Sequence, residues 1–292
     1  MNETPTNIES KEGQEKVKIL LHFFRHDDKE KAQKSDTEIR LTEAGRMHAK
    51  SQSSEETTLK KAVAYGSPRQ RTQETAGFVM AGAQDNILGT ESLEELNAKV
   101  NEDFGDGRKI RISDKLDFIL PAKGPYYDEL MTAFKEGRLL KYLVEESDAK
   151  AKEYGVETGV CTYGNQASQI AEVVERYFKA FPKYEKLVEN KAEEGEKLTM
   201  ERFLCSHQSV LESFLAKVIE QTKGKTERDA FVVAVKNQGF DFAEGFNIEI
   251  ATDDNGEEKA HISYKKEKDG QVIFEYDEFV SGELIQSLIL KK

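Results

Sequence analysis

The sequence contains no apolar run that approaches the length of a membrane span. It also has no internal repeat and no long low-complexity segment, so solenoid and fibrous architectures are not expected. Positive charge is in short supply. Against 55 Asp and Glu stand 43 Lys and Arg, a net charge of -12. Such an excess repels polyanions, so neither nucleic acid nor an anionic membrane is an expected partner. A phosphorylated substrate would meet the same field, and a local group of arginines must overcome it. Cysteine is scarce too. Cys161 and Cys205 are far apart and in no paired motif, so a disulfide is not expected and a reducing compartment fits better. The first sixteen residues are polar and lack the apolar centre of a signal peptide. These readings predict a soluble, cytoplasmic protein with a short disordered tail at 1–16.

What the chain does have is a core. Hydrophobic residues make up 37% of its 292 positions and charged residues 34%. Val17 to Phe24 is a nearly continuous apolar run, as expected for a strand buried in a parallel sheet. Thr42 is placed to cap a helix through Ala49. A second strand reads over Ala62 to Tyr65. Ser67-Pro68-Arg69-Gln70 has the form of a capping box with proline at the first helical position, and the helix should run to about Ala81. Asn101 to Gly107 is acidic and glycine-bearing and reads as a loop. From about 108 to 160 the pattern predicts short helices, including Tyr127 to Glu146, and no strong strand. Gln166 to Phe181 carries an apolar stripe of helical period. A strand over Arg202 to Cys205 leads to Ser206-His207 and another amphipathic helix. Residues 246–250, 261–265 and 272–276 read as strands, the first two joined by a turn at Asp253 to Gly256. The expected fold is a three-layer α/β/α sandwich with a mostly parallel central sheet, a helical insertion at about 108–160 and a C-terminal β-hairpin, forming one domain over 17–292.

Three of these strands end in polar residues of catalytic type. Arg25 and His26 close the first, Ser67 to Arg71 follow the second, and His207 closes the third. In an open α/β sheet, ligands bind in the crevice beyond the carboxyl ends of the strands. If the three strands are parallel neighbours, two arginines and two histidines converge. That group suits phosphoryl transfer. Arginine binds phosphate through a planar fork of donors. A neutral imidazole is a competent nucleophile at physiological pH. Arg71 falls in a first helical turn, where free N–H groups and the helix dipole favour an anion.

The sequence resembles the histidine phosphatase superfamily, the phosphoglycerate-mutase-like proteins. Four segments carry the resemblance, in order. They are Phe23-Phe24-Arg25-His26-Asp27; Leu41-Thr42-Glu43-Ala44-Gly45-Arg46; Ser67, Arg71, Thr75 and Ala76; and Phe203-Leu204-Cys205-Ser206-His207. The resemblance implies that His26 attacks phosphorus and becomes phosphohistidine, while Arg25, Arg71 and His207 hold the phosphoryl oxygens. It implies hydrolysis of a small phosphorylated substrate, or phosphoryl transfer as in a mutase, with no cofactor and no metal. A carboxylic acid should protonate the leaving oxygen. Leu93-Glu94-Glu95 fits the family's setting for it, which selects Glu95, followed by Glu94, with Asp27, Glu102 and Asp103 as outsiders.

One residue departs from the family pattern. Asp27 stands where the family has glycine, and places a carboxylate next to a phosphate site. It could repel the substrate, donate a proton, or point away and pair with Lys29 or Arg40. Repulsion is the favoured expectation, and makes Asp27 part of the substrate site. Two other functions compete with the phosphatase reading. One is a metal-dependent hydrolase using His26-Asp27 as a His-Asp doublet, which the strand context disfavours. The other is a catalytically weak member of the fold kept as a binding module, which the retained pairs of Arg and His disfavour. His22, His48 and His261 read as structural or surface residues, and Arg69 as a surface one.

Overall fold

The protein is described by a computed structural model covering residues 17–31, 35–57, 60–104, 109–156, 159–190 and 198–291. The tail expected at 1–16 lies outside the described residues. A seven-stranded sheet organises the molecule, in the order β3-β2-β4-β1-β5-β6-β7. The strands are β1 (Lys18–Arg25), β2 (Val63–Gly66), β3 (Ile110–Ile112), β4 (Thr199–Ser206), β5 (Gly245–Thr252), β6 (Glu258–Lys268) and β7 (Gln271–Ser281). Parallel pairings join β3, β2, β4 and β1, and antiparallel pairings join β1, β5, β6 and β7. The sheet is therefore an even mixture of the two pairings. The expected hairpin is present as β5–β6, but β7 extends it into a meander that continues the main sheet.

Helices cover both faces. They are α1 (Glu43–Ser51), α2 (Gln70–Ala81), α3 (Leu93–Phe104), α4 (Pro125–Lys135), α5 (Leu139–Tyr142), α6 (Asp148–Glu153), α7 (Tyr163–Glu189), α8 (Val210–Lys223), α9 (Lys225–Ala234) and α10 (Gly282–Ser287). The alternation of side chains along a strand divides the core in two. Ile19, Leu21, Phe23 and Leu204 pack with Ile170 and Val174 of α7 and Phe214 and Leu215 of α8. Phe24, Phe203 and Cys205 point the other way, onto Ala76 and Phe78 of α2 and Leu96 and Val100 of α3. Covered on both sides, β1 needs the continuous apolar run that its sequence shows. β5 comes so close to β1 that a Cβ on Gly245 would lie 1.7 Å from the Phe23 carbonyl oxygen, so only glycine fits there.

Several local expectations are revised. Thr42 does cap α1, its hydroxyl accepting the Gly45 N–H at 3.0 Å. Ser67 does not close a capping box on α2, whose N-cap is Arg69 with no side-chain cap bond. Residues 101 to 104 continue α3 rather than forming a loop. The 110–160 region is mostly helical, as expected, but opens with the edge strand β3. Its helix over Tyr127 to Glu146 breaks at Gly137, whose φ of +70° a side chain would resist, and resumes at α5. A π-helical turn, Leu143–Ser147, links α5 to α6. Both cysteines are free and buried. Among the described residues, no helix is long and apolar enough to cross a membrane.

Candidate active site

β2, β4 and β1 are parallel neighbours, so their carboxyl ends lie on one edge of the sheet. Arg25, His26, Arg71 and His207 all line one cavity at that edge, of about 610 Å³. Each is held from a different direction. The His26 N–H donates to the Ser206 carbonyl at 2.9 Å, tying the end of β1 to the end of β4. Its ring centroid lies 5.3 Å from that of His207.

The hydrogen bonds fix the tautomer of His26. Nδ1 lies 2.7 Å from the Asp27 carbonyl oxygen. A carbonyl can only accept, so Nδ1 carries the proton and Nε2 keeps its lone pair. Burial, then the charge of the neighbouring His207, Arg71 and Arg25, hold the His26 pKa well below its ordinary value. Its neutral, nucleophilic form therefore persists at neutral pH.

His207 is oriented by Asp117 and Ser67. Its Nε2 lies 3.3 Å from Asp117 Oδ1 and 2.8 Å from Ser67 Oγ. Hydrogen bonds from His207 and Arg69 hold the Asp117 carboxyl down to about 2 despite its burial, so it is ionised and Nε2 must donate. Nδ1 of His207 is buried and has no partner among the described residues. Burial lowers the His207 pKa to about 4, Asp117 opposing the shift and Arg71 adding to it.

The arginines are equally constrained. Arg25 lies over the Phe242 ring, 4.7 Å from its centroid, and Nη1 donates to the Phe240 carbonyl. Arg71 is 2% exposed. Burial and the neighbouring Arg69 charge lower its pKa to about 10, and it stays cationic at neutral pH. Its fork is engaged by Asp36, with Nη1 and Nη2 lying 3.1 and 3.4 Å from the two carboxylate oxygens. Arg69 Nη1 also meets Asp36, and Lys29 Nζ is 3.6 Å away. One oxyanion thus already sits on the cationic cluster, in the manner a phosphoryl group requires.

Asp27 does not join this cluster. Its carboxylate turns away from the cavity and is buried. Oδ1 accepts the Asp28 N–H at 2.7 Å, and Oδ2 meets His48 Nδ1 at 2.6 Å. The expectation that Asp27 faces and repels the substrate is corrected, and so is the choice of Lys29 or Arg40 as its partner. Arg40 instead bonds the buried Glu74 at 2.7 Å. Asp27 is not among the residues with positive φ, which is why a side chain is tolerated in place of glycine. Its N–H donates to Thr75 Oγ1 at 3.1 Å, joining the turn after His26 to α2.

Glu95 is also corrected. It is exposed and does not line the cavity. Its carboxylate accepts the Ser92 N–H at 2.7 Å while its own N–H donates to Ser92 Oγ at 3.2 Å, a reciprocal cap on α3. Glu94 and Glu102 are likewise exposed, and the side chain of Asp103 lies outside the described residues. Among the described residues, the carboxyls that do line the cavity are Asp28 and Glu30. Arg69, read as a surface residue, is instead drawn in by Asp117 at 2.6 Å and by the Phe118 ring, 4.3 Å from its guanidinium. His22 bonds the Asn247 side chain at 2.8 Å and stacks on Phe203.

The sequence reading missed Asp36, Asp117, Glu212 and Phe242. Buried Glu212 accepts the Phe240 N–H at 2.6 Å and so fastens the segment on which Arg25 rests, and burial pushes its carboxyl up to about 7. Asp117 follows the short strand β3, a fourth parallel strand whose carboxyl end faces the same crevice. That position was its only signal. Ser209, at the start of α8 and on the cavity wall, holds a left-handed φ of 75°, a conformation that clusters at functional sites.

Residues 21–106 match the family model of the histidine phosphatase superfamily (branch 1). The matched stretch contains Arg25, His26 and Arg71, while His207 lies beyond it and joins through β4. No curated protein matches the sequence. Among solved structures, "Mycobacterial hydrolase 2" is 12% identical, with 93% of this chain and 96% of that chain covered and a TM-score of 0.46. A native mycobacterial glucosyl-3-phosphoglycerate phosphatase is 12% identical, with 90% and 97% covered and a TM-score of 0.42. At TM-scores below 0.5 these likenesses carry no weight for substrate or mechanism.

Proposed function

We propose that the protein is a phosphomonoester hydrolase that works through a phosphohistidine on His26. The observation that carries this reading is the fixed tautomer of His26. Its Nε2 is unprotonated in a cavity it shares with two arginines and a second histidine. Nε2 attacks phosphorus, the ester P–O bond breaks, and the leaving oxygen takes a proton. Asp28 and Glu30, the carboxyls of the lining, are the proposed donors in place of Glu95. Arg25 and Arg71 stabilise the charge that develops on the phosphoryl oxygens. His207 adds a bond from its unpartnered Nδ1 once the arriving dianion has raised its pKa. Water then attacks the phosphohistidine and releases inorganic phosphate. An incoming phosphate displaces the Asp36 carboxylate from the Arg71 fork.

A panel of phosphomonoesters, assayed with wild type and His26→Ala, tests this reading. His26→Ala should lose at least ~10⁴-fold in kcat, the scale seen when a covalent nucleophile is removed. Wild-type activity should survive EDTA. Undiminished turnover in the variant, or activity abolished by the chelator and restored by a divalent ion, would refute it. The latter result would favour a His26-Asp27 metal site.

A further inference from the structure

The cavity has two unlike ends. Its floor carries the cationic cluster and the two histidines. Much of the remaining lining is hydrocarbon: Phe118 and Leu120 from the segment after β3, Leu130, Met131 and Phe134 from α4, and Phe242 from the segment before β5. Three of these six are large apolar side chains left open to solvent, Leu120 at 46%, Phe134 at 45% and Phe242 at 42% exposure. In a chain with 34% charged residues, such a gathering at one cavity is unusual and marks a binding surface. The aromatic members are fastened to the floor. Phe118 meets His207 edge-on at 4.9 Å and lies under Arg69, and Phe242 lies under Arg25. The apolar wall therefore begins where the anion site ends, at a fixed distance from the nucleophile.

Three polar residues beside the apolar side chains are already engaged. Gln208 Nε2 donates to the Gln238 carbonyl at 3.0 Å, Ser209 Oγ accepts from Gln166 at 3.3 Å, and Lys29 faces Asp36 at 3.6 Å. A sugar hydroxyl laid against the six apolar side chains would lose water and find hydrocarbon, which is costly. An aromatic ring would lose nothing and bury apolar surface.

We infer that the cavity selects aryl phosphomonoesters, held by the cationic floor at phosphorus and by the α4 wall at the ring, over sugar and polyol phosphates. This rests on the phosphohydrolase reading above.

The test compares kcat/KM for 1-naphthyl phosphate, glucose 6-phosphate and glycerol phosphate in wild type and in Met131→Asn and Phe134→Asn. Wild type should favour the naphthyl ester by about 10- to 100-fold, the gain expected from burying one aromatic face. Each variant should shrink that ratio, chiefly by raising KM for the naphthyl ester. A ratio near one in wild type, or one that both folded variants leave unchanged, overturns the inference. Labelling of His26 by phosphoramidate separates the two levels. If His26 is labelled and the ratio is flat, only the substrate class fails. If it is not labelled, the hydrolase reading fails, and binding of 1-naphthylmethylphosphonate against methylphosphonate decides the cavity alone. Tighter binding of the naphthyl compound supports an aryl site, and equal binding overturns it.

Discussion

Two histidine–aspartate pairs occupy the two halves of one sheet. In the parallel half, His207 meets Asp117 at 3.3 Å, with side-chain exposures of 3% and 22%. In the antiparallel half, His261 of β6 meets Asp277 of β7 at 2.6 Å, in the open, on a diagonal of the ladder, His261 standing opposite Phe279 and Asp277 opposite Ser263. The shorter contact belongs to the less consequential pair. Parallel strands end on the same edge, so Arg25, His26, Arg71 and His207 meet there although 44 residues lie between His26 and Arg71 and more between Arg71 and His207. Buried together, they shift one another's protonation. Antiparallel neighbours end on opposite edges, and their polar side chains are spread along a surface where solvent screens them.

The comparison predicts a graded response to substitution. The largest effect in this group belongs to Arg71→Lys, which keeps a charge and removes the fork. It should lower kcat/KM by about 30- to 1,000-fold, or ~2–4 kcal/mol of transition-state binding. Steady-state kinetics on an active ester measure it, and a loss below threefold would mean that Arg71 is not part of the clamp.

A stability effect comes next. The folded-state pKa of His207, about 4, lies below its unfolded value of 6.5. Between these values the unfolded chain binds the extra proton, so stability rises with pH across that window and is lost as pH falls through it. The loss is about 3 kcal/mol at most. Glu212 acts in the opposite sense. Its folded pKa is raised from 4.5 to about 7, so its contribution is present below 4.5 and lost as pH rises through 7. The two are separated by comparing urea denaturation of wild type and His207→Gln. Their difference in unfolding free energy should shrink as pH falls from 7.5 to 4.5. A difference flat with pH would show that His207 is not buried neutral. The control in the other half, His261→Gln, should change stability by less than about 0.5 kcal/mol.

The smallest effect is expected at Glu95. As a helix cap it should influence the melting of α3, and Glu95→Ala should leave kcat within about twofold of wild type. A collapse of kcat would return Glu95 to the site as an acid.

The same contrast explains what was legible in the sequence. The apolar run of β1 and the Arg-His that closes it occupy one short segment, and so do Ser67 to Arg71. A reader can place such residues from strand ends and helix starts alone. Asp36 and Asp117 reach the cluster from segments with no motif, the latter after a three-residue strand too short to show a period. Asp27 was legible as a departure but not as an orientation. Its partner His48 sits on α1, 21 positions away, and only folding brings the two together. Glu95 misled for a physical reason. A carboxylate three residues after Ser92 serves equally well as a helix cap or as a proton donor, and the local sequence is the same in both cases.

The central claim is a covalent bond to Nε2 of His26. Wild type incubated with a reactive phosphate ester, quenched in alkali and examined by phosphorus NMR and peptide mapping, tests it most directly. The account predicts one base-stable, acid-labile phosphate on the peptide containing His26, bound at Nε2 and absent from His26→Ala. A label on any other residue would contradict it, as would undiminished labelling of the variant.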